Sequence, residues 1–175
     1  MSINGSNISP ALCLDLDGTV RYSKRGEFIK GADDVALFPG VEKRIWEYRN
    51  NGFLVVGISN QGGVAFGYKT MEEVQQENMR MVELFKENPF HQLLSCGNHP
   101  DGNVHPWNCV SLLRKPNYGM LAIFEYQAFE VGGVSVDWSK SLMVGDREED
   151  QQLAENAGIS FQWAWEFFAG NRKEP

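Results

Sequence analysis

The pattern of this 175-residue chain predicts an α/β three-layer sandwich about a mainly parallel sheet, of a size that suits one domain. Three observations carry the prediction. Short apolar runs at residues 11–16, 53–58, 141–144 and 159–163 have the near-continuous hydrophobicity of strands covered on both faces. Between them lie segments with helical periodicity and helix-end signals. Each of the first three runs ends in polar residues, and in a parallel sheet these gather at one edge, where such folds bind ligands.

The elements follow in order. Residues 1–10 are polar and read as a flexible N-terminus. The first strand, 11–16, delivers Asp15 and Asp17 at its end. Residues 20–37 lack a helical period and contain Gly26 and Gly31, which makes them a flap or hairpin. Pro39 and Gly40 open a helix with Val41, Ile45 and Tyr48 on one face, closed by Asn51 and Gly52. After the strand at 53–58, three glycines make 59–67 a loop, and Thr70 with Glu73 forms a capping box for a helix to about Glu87, with Met71, Val74, Val82 and Phe85 inward. A short strand is expected at 91–95 and a long loop at 96–107, rich in Gly, Pro, His and Asn. Residues 118–130 read as a largely apolar, well-buried helix broken by Gly132 and Gly133, and 148–157 as a helix closed by Gly158. The whole is Rossmann-like, with one domain over 11–168 and a tail at 169–175.

With 42% hydrophobic and 22% charged residues, the composition excludes a chiefly disordered chain. A formal charge of -7 argues against broad electrostatic capture of nucleic acid or anionic lipid. No apolar run has the length of a membrane span, the opening lacks a signal-peptide pattern, and three cysteines fit a reducing compartment, so a cytoplasmic protein is expected. Cys13, among apolar neighbours, reads as a packing residue.

The strand ends bring together Asp15 and Asp17, Ser59 and Asn60, and Asp146, with Arg114 and Lys115 placed near the same edge by the following Pro116. Converging carboxylates raise one another's pKa unless a divalent cation neutralises them, and Mg²⁺ suits carboxylates that keep room for water and phosphate oxygens. A phosphate group accounts for the rest: Ser59 and loop amides can bind its oxygens and Lys115 can offset its charge.

Four stretches, Asp15-Leu-Asp-Gly-Thr-Val20, Ser59-Asn-Gln61, Arg114-Lys-Pro116 and Gly145-Asp-Arg-Glu-Glu-Asp150, resemble the four ordered motifs of the haloacid dehalogenase (HAD) superfamily, from Ala11 to about Trp163. The resemblance implies a phosphatase in which Asp15 is the nucleophile of an aspartyl-phosphate intermediate and Asp17 the general acid and then base. It implies further that Ser59 binds phosphate, that Asn60 and Gln61 add contacts or fix the loop, and that Lys115 steadies nucleophile and phosphoryl group. Arg114 either reaches the substrate or lies on the surface. Mg²⁺ would be held by Asp15, the Asp17 carbonyl and Asp146, supported by Asp150 one turn on, while Glu148 and Glu149 are solvated acids at a helix start.

No stretch is long enough for a large cap. With Ser-Asn-Gln and Arg-Lys-Pro, this is similar to the capless branch (subclass IIIA) containing heptose-bisphosphate, histidinol-phosphate and polynucleotide 3′-phosphatases. The substrate expected is a small phosphorylated metabolite such as a sugar phosphate, with nucleic-acid ends as the alternative, and the protein a monomer or small homo-oligomer. Leu16 and Phe66 depart from the heptose and histidinol pattern, which has basic residues there. Cys96, His99, His105 and Cys109 offer a tetrahedral ligand set for a structural Zn²⁺, as in the zinc loop of the heptose-bisphosphate type. One cysteine of that type's closing pair is missing, so the alternative is a metal-free loop.

Overall fold

The computed structural model describes residues 7–168. Five strands form a parallel sheet: β2 (Ala11–Asp15), β5 (Leu54–Asn60), β6 (Gln92–Cys96), β8 (Leu142–Gly145) and β9 (Ser160–Trp163), in the order β6-β5-β2-β8-β9. Of these five, the first in sequence, β2, is thus central, and the order reverses on either side of it, which opens a crevice at its carboxyl end. Alternation along β2 sends Leu12 and Leu14 to one apolar layer and Ala11 and Cys13 to the other. The helices α1 (Val41–Asn50) and α2 (Met71–Glu83) and the short α5 (Ala164–Phe167) cover the first layer; α3 (Gly119–Gly132) and α4 (Glu148–Ala157) cover the second. Cys13 is a core residue, its thiol pushed up by burial alone.

The helix ends follow their sequence signals. Thr70 Oγ1 accepts from Glu73 N at 3.1 Å while Glu73 Oε2 accepts from Thr70 N at 2.7 Å, and Gly133 and Gly158 take left-handed conformations that end α3 and α4. Four expectations need correction. Residues 7–9, expected to be flexible, form strand β1 (Asn7–Ser9), paired in parallel with β7 (Val134–Val136). The rest of that opening, 1–6, and the tail 169–175 lie outside the described residues. The second helix stops at Glu83 rather than near Glu87, because Leu84 N and Phe85 N bond three residues back and tighten the last turn. β5 continues to Asn60, since Ser59 and Asn60 pair with Ser95 and Cys96 of β6. The α3 helix buries only Met120, Leu121 and Phe124; Tyr126, Phe129 and Val131 are exposed, as suits a helix in an outer layer.

Residues 20–37 form the expected hairpin, β3 (Arg21–Ser23) against β4 (Val35–Leu37). No large cap stands over the sheet edge among the described residues. The loop of this hairpin is strapped to α2 by a buried ion pair: Lys69 Nζ lies 2.9 Å from both Glu77 oxygens and donates to Ile29 O at 3.0 Å, and Gly31 N donates to Glu77 Oε1 at 3.2 Å. Glu77→Ala strands the Lys69 charge and a backbone donor. A loss of roughly 3–5 kcal/mol is expected, read as a lower midpoint in urea, as when one partner of a buried pair is removed.

Candidate active site

The sheet's carboxyl edge assembles the polar group. Asp15 ends β2, and its Oδ1 accepts from Lys115 Nζ at 2.5 Å. The same ammonium donates to Asp150 Oδ1 at 2.7 Å, and all three side chains are almost fully buried. Asp150 Oδ2 is taken by Arg147 N at 3.2 Å, so Asp150 both caps α4 and holds Lys115. Gly145 permits this approach: a Cβ there would lie 2.3 Å from Asp150 Cβ. Asp15 Oδ2, in contrast, is buried without a hydrogen-bond partner.

Asp146 faces the same point, its Oδ1 accepting from Thr19 Oγ1 at 3.4 Å. Gly18, at φ +88°, lies so close that a Cβ would meet Asp146 Oδ2 at 2.2 Å, so the turn carrying Asp17 is pressed against this carboxylate. Ligand atoms of Asp15, Asp146 and Asp150 lie within 4.8 Å of one another. Three carboxylates against one ammonium, with one oxygen orphaned and buried, form a donor set that fits a hard divalent cation such as Mg²⁺. Without it, burial and then the charges of Asp150 and Asp146 hold Asp15 well above the usual carboxylate range, against the pull of Lys115; Asp146 is raised by burial and Asp150. Burial would lower Lys115, but Asp15 and Asp150 outweigh it and hold the ammonium above its ordinary value.

Asp17 differs from its neighbours. Burial opposes its charge, yet the Arg21 guanidinium and donors from Arg21 and Gln61, with the Lys69 charge, hold it below the usual range. Gln61 Nε2 donates to Asp17 Oδ2 at 2.6 Å and to the buried Ser59 Oγ at 2.7 Å. Asn60 clasps the backbone of Lys115, Oδ1 accepting from its N at 2.9 Å and Nδ2 donating to its O at 3.0 Å, and so fixes the loop. Its Nδ2 also reaches Glu149 Oε1 at 3.1 Å, so Glu149, expected among the solvated acids, is half-buried at the site, whereas Glu148 is exposed. Arg114 is half-buried beside Gly62, with Nη1 donating to Asn98 O at 3.1 Å.

The zinc set is not assembled. Among the described residues, no three of Cys96, His99, His105 and Cys109 bring ligand atoms within 4.8 Å of one another. Cys109 Sγ instead accepts from Asn98 Nδ2, His99 Nδ1 accepts from Asp101 N, and His105 is exposed. The loop has other fastenings: His99 N donates to Trp107 O at 3.0 Å, Asn103 N and Val104 N to Ala65 O at 2.7 and 2.9 Å, and Met71, Trp107 and Val64 close around Gly97. These contacts order the loop by hydrogen bonding and packing.

Three features went unread in the sequence. Arg21 and its partner Asn78 carry no motif signal. Glu77 did carry one, as an acid on the Val74–Met81 stripe of α2, where a charge implies a buried partner.

The chain is similar to known phosphatases. A family model described as polynucleotide kinase 3 phosphatase matches residues 11–168. A D-glycero-beta-D-manno-heptose-1,7-bisphosphate 7-phosphatase of Escherichia coli is 30% identical over 153 residues, 86% of this chain and 76% of that protein. Its Yersinia pestis counterpart is 32% identical over 152 residues, 86% and 77% of the two chains. Among solved structures, a HAD-like phosphatase from Mesorhizobium loti superposes with a TM-score of 0.74 at 30% identity, covering 87% of this chain and 70% of that one. The D,D-heptose 1,7-bisphosphate phosphatase of B. bronchiseptica, complexed with magnesium and phosphate, shares the fold with a TM-score of 0.68 at 22% identity, covering 94% and 89%. A model match over nearly all the described residues, on a fold that places four motifs at one sheet edge, has one consequence: the chain belongs to the polynucleotide kinase 3 phosphatase family and is a phosphatase of the HAD superfamily.

Proposed function

We propose that this phosphatase hydrolyses a small sugar phosphate, Mg²⁺-dependent and through an aspartyl-phosphate intermediate, in the cytoplasm. The observation that carries the chemistry is the division of labour on Asp15: Oδ1 is clamped by Lys115 while Oδ2 is buried and unpartnered, so the carboxylate is aimed and one oxygen is held out of water. In the first step a carboxylate oxygen of Asp15 attacks phosphorus as the bond from phosphorus to the leaving oxygen breaks, and Asp17, having taken up a proton from solvent against the pull of Arg21, passes it to that oxygen. In the second, water attacks the same phosphorus, Asp17 takes its proton, and Asp15 is restored as inorganic phosphate departs. Ser59 binds a phosphoryl oxygen, Lys115 offsets the charge, Asn60 and Gln61 fix the loop, and Arg114 stands at the rim for the substrate. Asp15, the Asp17 carbonyl and Asp146 would hold Mg²⁺, which, when bound, screens the carboxylates and polarises the phosphoryl oxygens.

The sugar reading rests on heptose-bisphosphate relatives that span most of both chains and on the charge of -7. The family description favours a second reading, a 3′-phosphorylated nucleic-acid end. A comparison of kcat/KM for a heptose bisphosphate, histidinol phosphate and a 3′-phosphorylated oligonucleotide tests the choice. The heptose compound is expected to lead; an oligonucleotide ahead by ~100-fold, about 2.7 kcal/mol, would replace the sugar reading.

A further inference from the structure

Both oxygens of Asp17 are gripped. Arg21 Nε donates to Oδ1 at 2.6 Å and Gln61 Nε2 to Oδ2 at 2.6 Å. Arg21 is completely buried, an unusual place for a guanidinium. Its Nη1 donates to Asn78 Oδ1 at 2.8 Å, and Asn78 Nδ2 reaches Ser95 Oγ at 3.2 Å. A chain of contacts thus runs from Ser95 at the end of β6, through Asn78 on α2 and Arg21 on β3, to Asp17, Gln61 and Ser59.

Stability does not explain the arrangement. Burying a guanidinium carries a large desolvation cost, and Arg21 Nη2 is buried without a partner, so the network is incomplete as a stabilising device. Its product is direction. Asp17 sits on a tight turn in which Gly18 N donates to Arg21 O at 2.9 Å, so the residue that closes the turn also holds the carboxylate the turn presents. A planar guanidinium fixed at both ends, on Asp17 and on Asn78, sets the carboxylate plane in a way a flexible ammonium does not. With Oδ1 committed to Arg21, Oδ2 is the oxygen on the Ser59 side, next to the phosphate position.

We propose that Arg21, held by Asn78, is a positioning residue that turns Asp17 Oδ2 toward the leaving oxygen, acting through Asp17. This rests on the acid-base role given to Asp17 above. A misplacement of about 1 Å costs on the order of 10²-fold, a large part of what a proton donor contributes.

The test compares kcat/KM, which reports formation of the phosphoenzyme, for two probes. Glycerol phosphate releases an alkoxide that needs a proton; dinitrophenyl phosphate releases a stable anion that does not. The ratio of the two is expected to fall roughly 10- to 100-fold in Arg21→Met. It should fall less in Arg21→Lys, which keeps the charge and loses the fork, and less again in Asn78→Ala, which frees the far end. If Arg21→Met does not fold, the other two variants carry the test. Equal proportional losses on both probes in every variant that folds would show that Arg21 serves the fold alone and would overturn the proposal. Asp17→Asn separates the two levels: if it lowers the ratio while the Arg21 and Asn78 variants do not, only the Arg21 role fails. If Asp17→Asn leaves the ratio at the wild-type value, the acid-base reading itself fails.

Discussion

Asp15→Asn is expected to fold and to lose phosphomonoesterase activity by about 10⁴-fold or more, since a neutral amide is a poor nucleophile and a poor cation ligand. Steady-state rates on an aryl phosphate, beside a melting curve of the same preparation, check both halves. The variant should melt no lower than the wild type in metal-free buffer, because it removes a buried carboxylate that Asp150 and Asp146 repel. The pH dependence follows the same charge. Burial and those neighbours raise Asp15 in the native state, so its contribution to stability is present below the ordinary carboxylate range and lost as pH rises through the raised native value. Added Mg²⁺ should therefore raise the wild-type melting temperature more at about pH 8 than at about pH 5, and should do so far less in Asp15→Asn. Wild-type turnover by Asp15→Asn would sink the aspartyl-phosphate reading.

Lys115→Met should show the second large effect, on stability as well as rate. Removing the ammonium leaves Asp15 and Asp150 buried, with no cation between them. Breaking such a pair costs roughly 3–5 kcal/mol, and loss of a preorganised charge at the phosphoryl group lowers kcat by about 10²- to 10³-fold. Adding Asp150→Asn to Lys115→Met should restore part of the stability but not the rate, since the repulsion is relieved while the cation stays absent. If the single and double variants melted at the same temperature, Asp150 would not be the partner that the 2.7 Å contact implies.

Residues whose placement is announced by local order were legible in the sequence. Asp15, Ser59 and Asp146 lie at or beside strand ends and Lys115 precedes a proline, and a parallel sheet brings strand ends to one edge whatever the details of packing. Both limits of α1 and the close of α4 were legible for the same reason, since Gly40, Asn51 and Gly158 mark them locally. What stayed hidden depends on contacts between distant segments. The strand Asn7–Ser9 exists because Val134–Val136 lies beside it, and a lone isoleucine between two polar residues does not announce it. Arg21 carries no signal in the sequence, because its partner Asn78 lies 57 residues away. The zinc reading, set against a metal-free loop, gains no support: the four ligand types are present, but Asn98, Asp101 and the Ala65 carbonyl satisfy that loop by ordinary hydrogen bonds.

The strap from Lys69 and Glu77 to the hairpin also bears on how substrate is admitted. Enzymes with a mobile lid lose the lid's freedom at each encounter, and part of the substrate's binding energy goes into that closure. Here the hairpin beside Asp17 is tied to α2 through Ile29 and Gly31. Its freedom is surrendered once, when the chain folds. The mouth on that side is a doorpost rather than a door, and under the proposed reaction the binding energy of even a small phosphate ester remains available for aligning phosphorus with Asp15.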